Sequence, residues 1–436
     1  MSASKTANHF HTVADTPATA QTPDTGKLDT HLSRYLKVRR ATVAICAPLA
    51  IEDFTVQPTA EVSPPKWHLA HGSWFFETVI LSKFKPDYQV FNPHYTALFN
   101  SYYKALGTHT RQSERGHLSR PTVSEIMQYR ACVDAQMVEY MAQHTLTDEF
   151  IALLEIGLHH EQQHQELLYM DILTIFNSNS VQVQYSQAAL PPSPPAASSW
   201  TSFAEGIYEI GHDGTGLDDQ TFSYDNERPR HKHYQYGFAL RDSVVTNGDF
   251  LAFMAADGYR QAQYWLSQGW DWVSQQQLQC PLYWRQLDGA WYEYTLHGLL
   301  PLDLNRPLVH ISYFEADAFA NWQQCRLPTE HELEIFLAAA PVPTAPVADV
   351  FHPYNANAAA GQVWCWTRSQ YAAYPRYHAF DGLLNEYNAK FMCNQFVLRG
   401  GCIVTPADHY RPSYRNFYLA QQQWMFSGIR LAQDTI

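Results

Sequence analysis

Gly157-Leu-His-His-Glu-Gln-Gln-His-Gln-Glu-Leu-Leu168 sits inside a stretch, about Asp148 to Phe176, that has no proline and no glycine except Gly157. Leu153, Leu154, Leu158, Leu167, Leu168, Ile172 and Ile175 recur there at helical spacing, which predicts one long amphipathic helix. His160 and His164 are four residues apart and share one face of it, a turn from each other. Two imidazoles so placed can ligate one transition metal. The plain alternative, a histidine-rich helix that only caps or solvates a surface, suits a single histidine better than a pair beside an apolar stripe.

Outward from this helix, a helical pattern runs from Leu28 to about Phe176, with long segments near Thr30–Cys46, Lys66–Phe84, Val123–Gln143 and Asp148–Phe176. Four such helices predict an up-and-down bundle over residues 28–185, a scaffold that often holds metals between facing helices. Residues 1–27, rich in Thr, Ala, Pro and Asp, are expected to be disordered. Leu190-Pro-Pro-Ser-Pro-Pro-Ala-Ala-Ser-Ser199 breaks the helical pattern, so residues 186–199 read as a linker or an extended strap.

From Trp200 to Ile436 the texture changes to short aromatic strands and turns with a few helices. Asn247–Ala256 and Tyr313–Gln323 read as helices, with Thr246 and Asn247 placed for N-capping. Arg326-Leu-Pro-Thr-Glu-His-Glu-Leu-Glu-Ile-Phe336 reads as a helix opening with Thr329 as N-cap. An α+β domain over 200–436 follows, whose irregular loops are suited to substrate contacts.

Length and composition agree. A chain of 436 residues exceeds what one core usually supports, so two domains are expected. Hydrophobic residues at 46% and aromatics at 14% describe a well-packed globular protein. A formal charge of −13 with no Lys/Arg-rich block argues against nucleic-acid and anionic-membrane partners. No apolar run is long enough to span a membrane, and the N-terminus has no apolar secretory core. Seven scattered cysteines suit reduced thiols, so a cytoplasmic location is expected.

His160-Glu161-Gln162-Gln163-His164 also matches the HExxH pattern of zinc peptidases, in which Glu161 would be the general base. No HxxGxxH extension follows it, and five residues are few enough to arise by chance. The other reading is an open site completed by a histidine from another helix. His71, in Pro64-Pro-Lys-Trp-His-Leu-Ala-His-Gly-Ser-Trp-Phe-Phe-Glu77, is the candidate; a hydrogen-bonded core histidine is its alternative. Three neutral imidazoles would leave positions for substrate and dioxygen on iron, or for water on zinc. These residues alone do not choose the metal.

Several stretches resemble the ergothioneine-biosynthesis sulfoxide synthases. They include Trp67-His-Leu-Ala-His71, Phe99-Asn-Ser-Tyr-Tyr103, Leu118-Ser-Arg-Pro-Thr122 and Gly157–Leu168. Asn226-Glu-Arg-Pro-Arg-His231, Val245–Leu251, Arg326-Leu-Pro-Thr-Glu330, Glu386–Gln395, Leu398-Arg-Gly-Gly401 and Phe426-Ser-Gly-Ile-Arg-Leu431 extend the likeness from about residue 30 to the end. The resemblance implies a DinB-like four-helix bundle followed by a domain like the formylglycine-generating enzyme, a C-type-lectin-related fold, with the site between them.

It further implies an Fe(2+)- and O2-dependent enzyme that joins a thiol to C2 of the imidazole of hercynine (Nα-trimethylhistidine), giving a sulfoxide. The implied metal ligands are His71, His160 and His164. Gln163 and Asn416 match hercynine-contacting positions, and Tyr102 and Tyr103 match a tyrosine pair that one branch of the family places near the iron. A phenol there can donate a proton. A trimethylammonium cannot donate a hydrogen bond, so aromatic faces must hold it, and Phe417 and Trp424 are candidates with core packing as the alternative. Arg111 and Arg115 are candidate clamps for the carboxylate of the sulfur donor, with solvated surface arginines as the alternative.

The chain departs from the pattern in three places. Cys365 stands where the family usually has a Glu that helps bind calcium in the related formylglycine enzymes, so calcium is not expected. After Gly401 the sequence runs Cys402-Ile-Val-Thr405, without the paired catalytic cysteines of those enzymes; Cys365 and Cys402 read as buried free thiols. Tyr418 replaces an acidic residue found in synthases that take γ-glutamylcysteine, which favours free cysteine as donor. The rival readings are a selenoneine synthase joining hercynine to a selenosugar, a zinc metallopeptidase, and a non-catalytic hercynine-binding module.

Overall fold

A computed structural model describes residues 30–196, 199–214, 222–341, 347–356 and 358–435. The expected disorder of residues 1–27 lies outside the described residues. Helix α1 (Thr30–Cys46), α2 (Pro65–Phe75), α3 (Val123–Gln143) and α4 (Asp148–Asn177) make up the N-terminal half. α1 packs on α4, and α2 packs on both α3 and α4. The predicted segments coincide with these helices, with one difference. Lys66–Phe84 is not uniform: α2 gives way to a wider π-helical turn over Phe76–Leu81 before a last α turn to Phe84.

Local chemistry starts these helices. The Thr122 hydroxyl accepts from the Glu125 amide (3.2 Å) while the Glu125 carboxylate accepts from the Thr122 amide (2.7 Å), a reciprocal cap that opens α3. Thr147 caps α4 by accepting from Phe150 N at 3.2 Å. Gly157 lets α2 and α4 approach: a Cβ there would lie 2.7 Å from Cε1 of Phe76 and 3.1 Å from Cε1 of Phe75. The expected spacer role of the Pro-rich segment takes the form of a strap. Tyr185 N donates to Leu296 O (2.9 Å), Ser193 Oγ to Asn305 O (3.0 Å) and Arg306 Nη2 to Pro191 O (2.6 Å).

Among the described residues the second half has four α-helices, α5 (Asn247–Ala255), α6 (Ser267–Gln276), α7 (Tyr313–Trp322) and α8 (Glu330–Ala339). Thr246, Ser312 and Thr329 cap α5, α7 and α8, each accepting from the third residue onward. Helix α6 was not anticipated. Its Ser, Gly and Trp are weak helix formers, and it forms because Gly269 and Val273 bury against the domain. A Cβ on Gly269 would meet the Phe314 side chain at 2.9 Å.

The strands are β1 (Trp200–Phe203), β2 (Gly206–Ile210), β3 (His231–Gln235), β4 (Phe238–Arg241), β5 (Trp284–Leu287) and β6 (Ala290–Thr295). They continue with β7 (Gly298–Pro301), β8 (Trp364–Gln370), β9 (Gln395–Arg399), β10 (Asn416–Leu419), β11 (Ser427–Gly428) and β12 (Ala432–Asp434). Among the described residues they form four small sheets ordered β1-β4-β12, β2-β3, β5-β6-β7 and β10-β9-β8-β11. Strand β10 pairs antiparallel with β9, placing Asn416 opposite Leu398 and Phe417 opposite Val397. β12 returns from the far end of the chain to pair with β4, which ties the two ends of this half together.

A buried ionic knot holds the sheet core to α8. Glu330 accepts from Arg415 (Nε, 2.8 Å) and Arg399 (Nη2, 3.0 Å), all fully or nearly buried. No helix among the described residues is long and apolar enough to cross a membrane. All seven cysteines are free thiols.

Candidate metal centre

Helix α4 presents His160 and His164, and α2 presents His71, so that one nitrogen from each lies within 4.8 Å of the others. The ring orientations are set by packing. His71 stacks between Trp67 (centroids 4.5 Å, 13°) and Trp74 (5.3 Å, 15°), and its Nδ1 lies 2.6 Å from the Phe99 carbonyl oxygen. A carbonyl only accepts, so that Nδ1 carries the hydrogen and Nε2 keeps the lone pair. This Nε2 is 3.1 Å from Nε2 of His160, whose ring stacks on Phe75 at 4.6 Å.

Burial is the main influence on all three. It holds His71 and His164 well below the usual imidazole range, and it holds His160 at about 3 despite the nearby Glu161 charge. Three buried, neutral imidazoles with nitrogens within 4.8 Å of one another form a donor set suited to a borderline divalent ion. The residues fit such an ion.

Glu161 does not face this cluster. It accepts from Arg39 Nη1 (2.7 Å), Thr42 Oγ1 (2.5 Å) and Arg130 Nη2, all buried between α1, α3 and α4. Burial alone would raise its carboxyl, yet Arg130 and Arg39 hold it at about 2. A carboxylate enclosed by two guanidinium groups cannot serve as a general base towards the histidines. The HExxH match is therefore coincidental in function.

His160 and His164 open onto a cavity of about 410 Å³ between the two halves of the chain. Its bundle wall includes Trp67, His68, Tyr102, Arg115, Gln163 and Asp171, and its other wall includes Tyr387, Tyr414, Asn416, Phe417, Tyr418 and Trp424. The Gln163 amide is gripped from both sides: Tyr387 donates to its Oε1 (2.7 Å), and its Nε2 donates to Tyr414 (2.8 Å). Asn416 lines the cavity from β10, with its Oδ1 accepting from Phe417 N at 3.0 Å. Phe417 lies against Tyr371 (4.0 Å, 10°), and the Trp424 indole donates to Asp171 Oδ1 at 3.1 Å.

The two candidate arginines separate. Arg115 is 7% exposed and lies over the Trp67 ring at 3.4 Å; its Nη1 donates to Ser63 Oγ (2.8 Å), and its Nε has no partner. Desolvation pulls its pKa down to about 9. The Arg111 side chain is 79% exposed, beside Glu114 at 3.9 Å, and is absent from the cavity wall. Its backbone opens a short 3-10 turn that aims the side chain at solvent. The tyrosines separate too. Tyr102 lines the cavity, whereas Tyr103 lies behind it, stacked on Tyr102 (4.7 Å) and tilted against Trp74 (5.7 Å). Burial raises both phenols, so both stay protonated at neutral pH.

Sequence reasoning missed Tyr387, Tyr414, His68 and Asp171. Tyr387 and Tyr414 come from loops whose pairing with Gln163 leaves no mark in local periodicity. Asp171 follows His164 by two helical turns on the same face, a buried polar position that the helical period does expose. Cys365 and Cys402 are buried, as expected, and neither lines the cavity.

Residues 191–341 match the family described as the sulfatase-modifying factor enzyme 1-like domain, in agreement with the expected formylglycine-enzyme-like second half. The hercynine oxygenase of Mycolicibacterium thermoresistibile is 30% identical over 411 residues, covering 86% of this chain and 88% of that protein. The chain belongs to the hercynine oxygenase family. The hercynine oxygenase of Mycolicibacterium smegmatis is 28% identical over 411 residues, covering 86% of this chain and 91% of that protein. Ergothioneine biosynthesis protein 1 of Schizosaccharomyces pombe is 28% identical over 232 residues, 49% of this chain and 28% of that protein.

Proposed function

We propose that the chain is a non-haem Fe(2+)-dependent sulfoxide synthase that joins the imidazole of hercynine to the sulfur of a thiol, with cysteine as the favoured donor. The observation that carries this reading is the convergence of three neutral imidazoles, His71, His160 and His164, beside a cavity whose wall also holds the buried Arg115 guanidinium, with its Nε unpartnered. The overall change balances: one C–H and one S–H are lost, and O2 supplies the sulfoxide oxygen and one water. The four electrons taken by O2 come from C–S bond formation and oxidation of the sulfur. His71, His160 and His164 would hold an iron ion, which would supply the redox chemistry with dioxygen.

The chain's own residues bind and orient. Gln163, fixed by Tyr387 and Tyr414, meets hercynine beside His164, and Asn416 approaches from β10. Phe417 and Trp424 offer ring faces to the trimethylammonium group. Arg115 takes the donor carboxylate; a buried guanidinium whose Nε has no partner gains from an arriving anion, and it can pair bidentately with a carboxylate. Tyr102 is the phenol on the cavity wall suited to proton donation, with Tyr103 supporting its ring.

Tyr418 stands on the cavity wall where synthases that take γ-glutamylcysteine carry an acid, which supports the shorter donor. Cys365 donates to Val363 O at 3.7 Å inside the domain and contributes nothing to the donor choice. The selenosugar alternative therefore has no observation in its favour here.

The test is anaerobic loading of the full chain with Fe(2+), followed by hercynine, O2 and either cysteine or γ-glutamylcysteine, with mass analysis of products. A hercynine–cysteine sulfoxide is expected. Absence of sulfoxide with both donors overturns the reading; turnover only with a selenium donor replaces it.

A further inference from the structure

His164 is the least enclosed of the three converging histidines, and it is the one with a polar partner chain behind it. Its Nδ1 lies 2.8 Å from Nδ1 of His68, and Nε2 of His68 lies 2.9 Å from Oδ2 of Asp171. His68 and Asp171 are both buried, at 2% exposure each. Asp171 is itself fixed from two further elements: Oδ2 also accepts from Ser63 N (2.8 Å), and Oδ1 accepts from the Trp424 indole (3.1 Å).

The hydrogen positions follow from this chain. A carboxylate only accepts, so Nε2 of His68 carries a hydrogen towards Asp171, and in the tautomer with a single ring hydrogen its Nδ1 is a lone pair. That lone pair can receive a hydrogen only from Nδ1 of His164, which leaves the Nε2 lone pair of His164 free. Reversal of any link would place a hydrogen on the nitrogen that must face the ion. His71 solves the same problem with a backbone carbonyl. His164 solves it with two side chains.

We propose that Asp171, acting through His68, is the positioning pair that holds His164 in the tautomer and orientation in which its Nε2 binds the metal. The proposal rests on the three-histidine metal reading and extends it to two residues outside the ligand set. Outer partners of metal-bound histidines typically change metal affinity by about 10–100-fold when removed. A carboxylate two links away acts only if the link between them is intact, so the two residues should behave as one unit.

The test uses the full metal-free chain and titrates Co(2+), read by its visible absorption and by calorimetry. His68→Leu removes the acceptor and is expected to weaken Co(2+) about 10–100-fold and to shift the absorption band. His68→Asn returns an oxygen near the former Nδ1 position and is expected to bind within about 3-fold of the parent. Asp171→Leu should weaken binding about as much as His68→Leu, whereas Asp171→Leu made in the His68→Asn background should add little.

Thermal melts of each metal-free variant show whether it is folded, and the His68 pair decides the matter if Asp171→Leu is not. Parent-like affinity and spectrum in His68→Leu would overturn the proposal, as would His68→Asn as weak as His68→Leu. A parent chain that binds no Co(2+) overturns the three-histidine reading itself, a result that leaves no room for confusion between the two.

Discussion

Replacement of Glu161 by Gln separates a scaffold role from a catalytic one. In the parent, Oε1 accepts from Thr42 and Arg130, and Oε2 accepts from Arg39, with both carboxylate and guanidinium groups at 3% side-chain exposure or less. A glutamine must turn its NH2 towards one of these donors; the Oε2 position, with a single partner, is the less costly choice. Arg39 then keeps Asp134, at 2.6 Å, whereas Arg130 loses its anionic partner's charge.

Breaking a buried ion pair by removing one member costs about 3–5 kcal/mol. The fall of the Glu161 carboxyl from 4.5 to about 2 on folding corresponds independently to about 3 kcal/mol. The partner retained by Arg39 favours the lower end. For a helical region of this size each kcal/mol moves the melting temperature by about 2–4 °C, so a fall of roughly 6–12 °C is expected.

The assay is a far-UV circular dichroism melt of the metal-free full chain, with and without Co(2+). Glu161→Gln should melt lower in both states yet still take up the ion. A variant that melts within about 2 °C of the parent refutes the clamp argument. So does a stable variant that has lost metal binding alone, since that outcome would assign Glu161 to the metal and not to the arginines.

Three further outcomes are expected. Arg115→Met should raise the donor KM by roughly 10–100-fold with a much smaller effect on the hercynine KM, while Arg111→Ala, out in solvent, should change neither; steady-state kinetics with each substrate varied checks both. Gly157→Ala should destabilise the chain by about 1–2 kcal/mol in urea unfolding: overpacking against Phe76 costs about 1–3 kcal/mol, and the gain in helix propensity returns only part of it.

The last concerns acid. Burial alone would raise Glu330, but Arg415 and Arg399 hold it at about 2 when folded. A carboxyl depressed on folding stabilises above its unfolded value, near 4.5, and that stability is lost as pH falls towards 2. Urea midpoints should therefore be flat in this contribution above about pH 5 and fall below 4.5. In Glu330→Gln that part of the acid slope should be shallower.

Much of the bundle was legible because its signals are local. Apolar residues every three to four positions and a histidine pair one turn apart lie within a single helix, and the observed bounds of α1 and α3 match those expected. The second half was less legible. Its strands are short, helix α6 forms from weak helix formers, and Asn416 and Trp424 reach the cavity only because β10 and the loop after it fold against α4. Arg111 and Arg115 are four residues apart and chemically alike; only the packing of Arg115 over Trp67 distinguishes them.

The amino-acid sequence by itself determined the helical half, the three histidines and the family resemblance, because helical period and motif spacing are properties of neighbours along the chain. Tertiary structure alone decided what each polar group faces. It turned Glu161 towards Arg39 and Arg130, separated Arg115 from Arg111, and placed His68 and Asp171 behind His164. The physical reason is that tautomer, charge and desolvation are set by partners brought from distant parts of the chain, and no spacing along one helix records them.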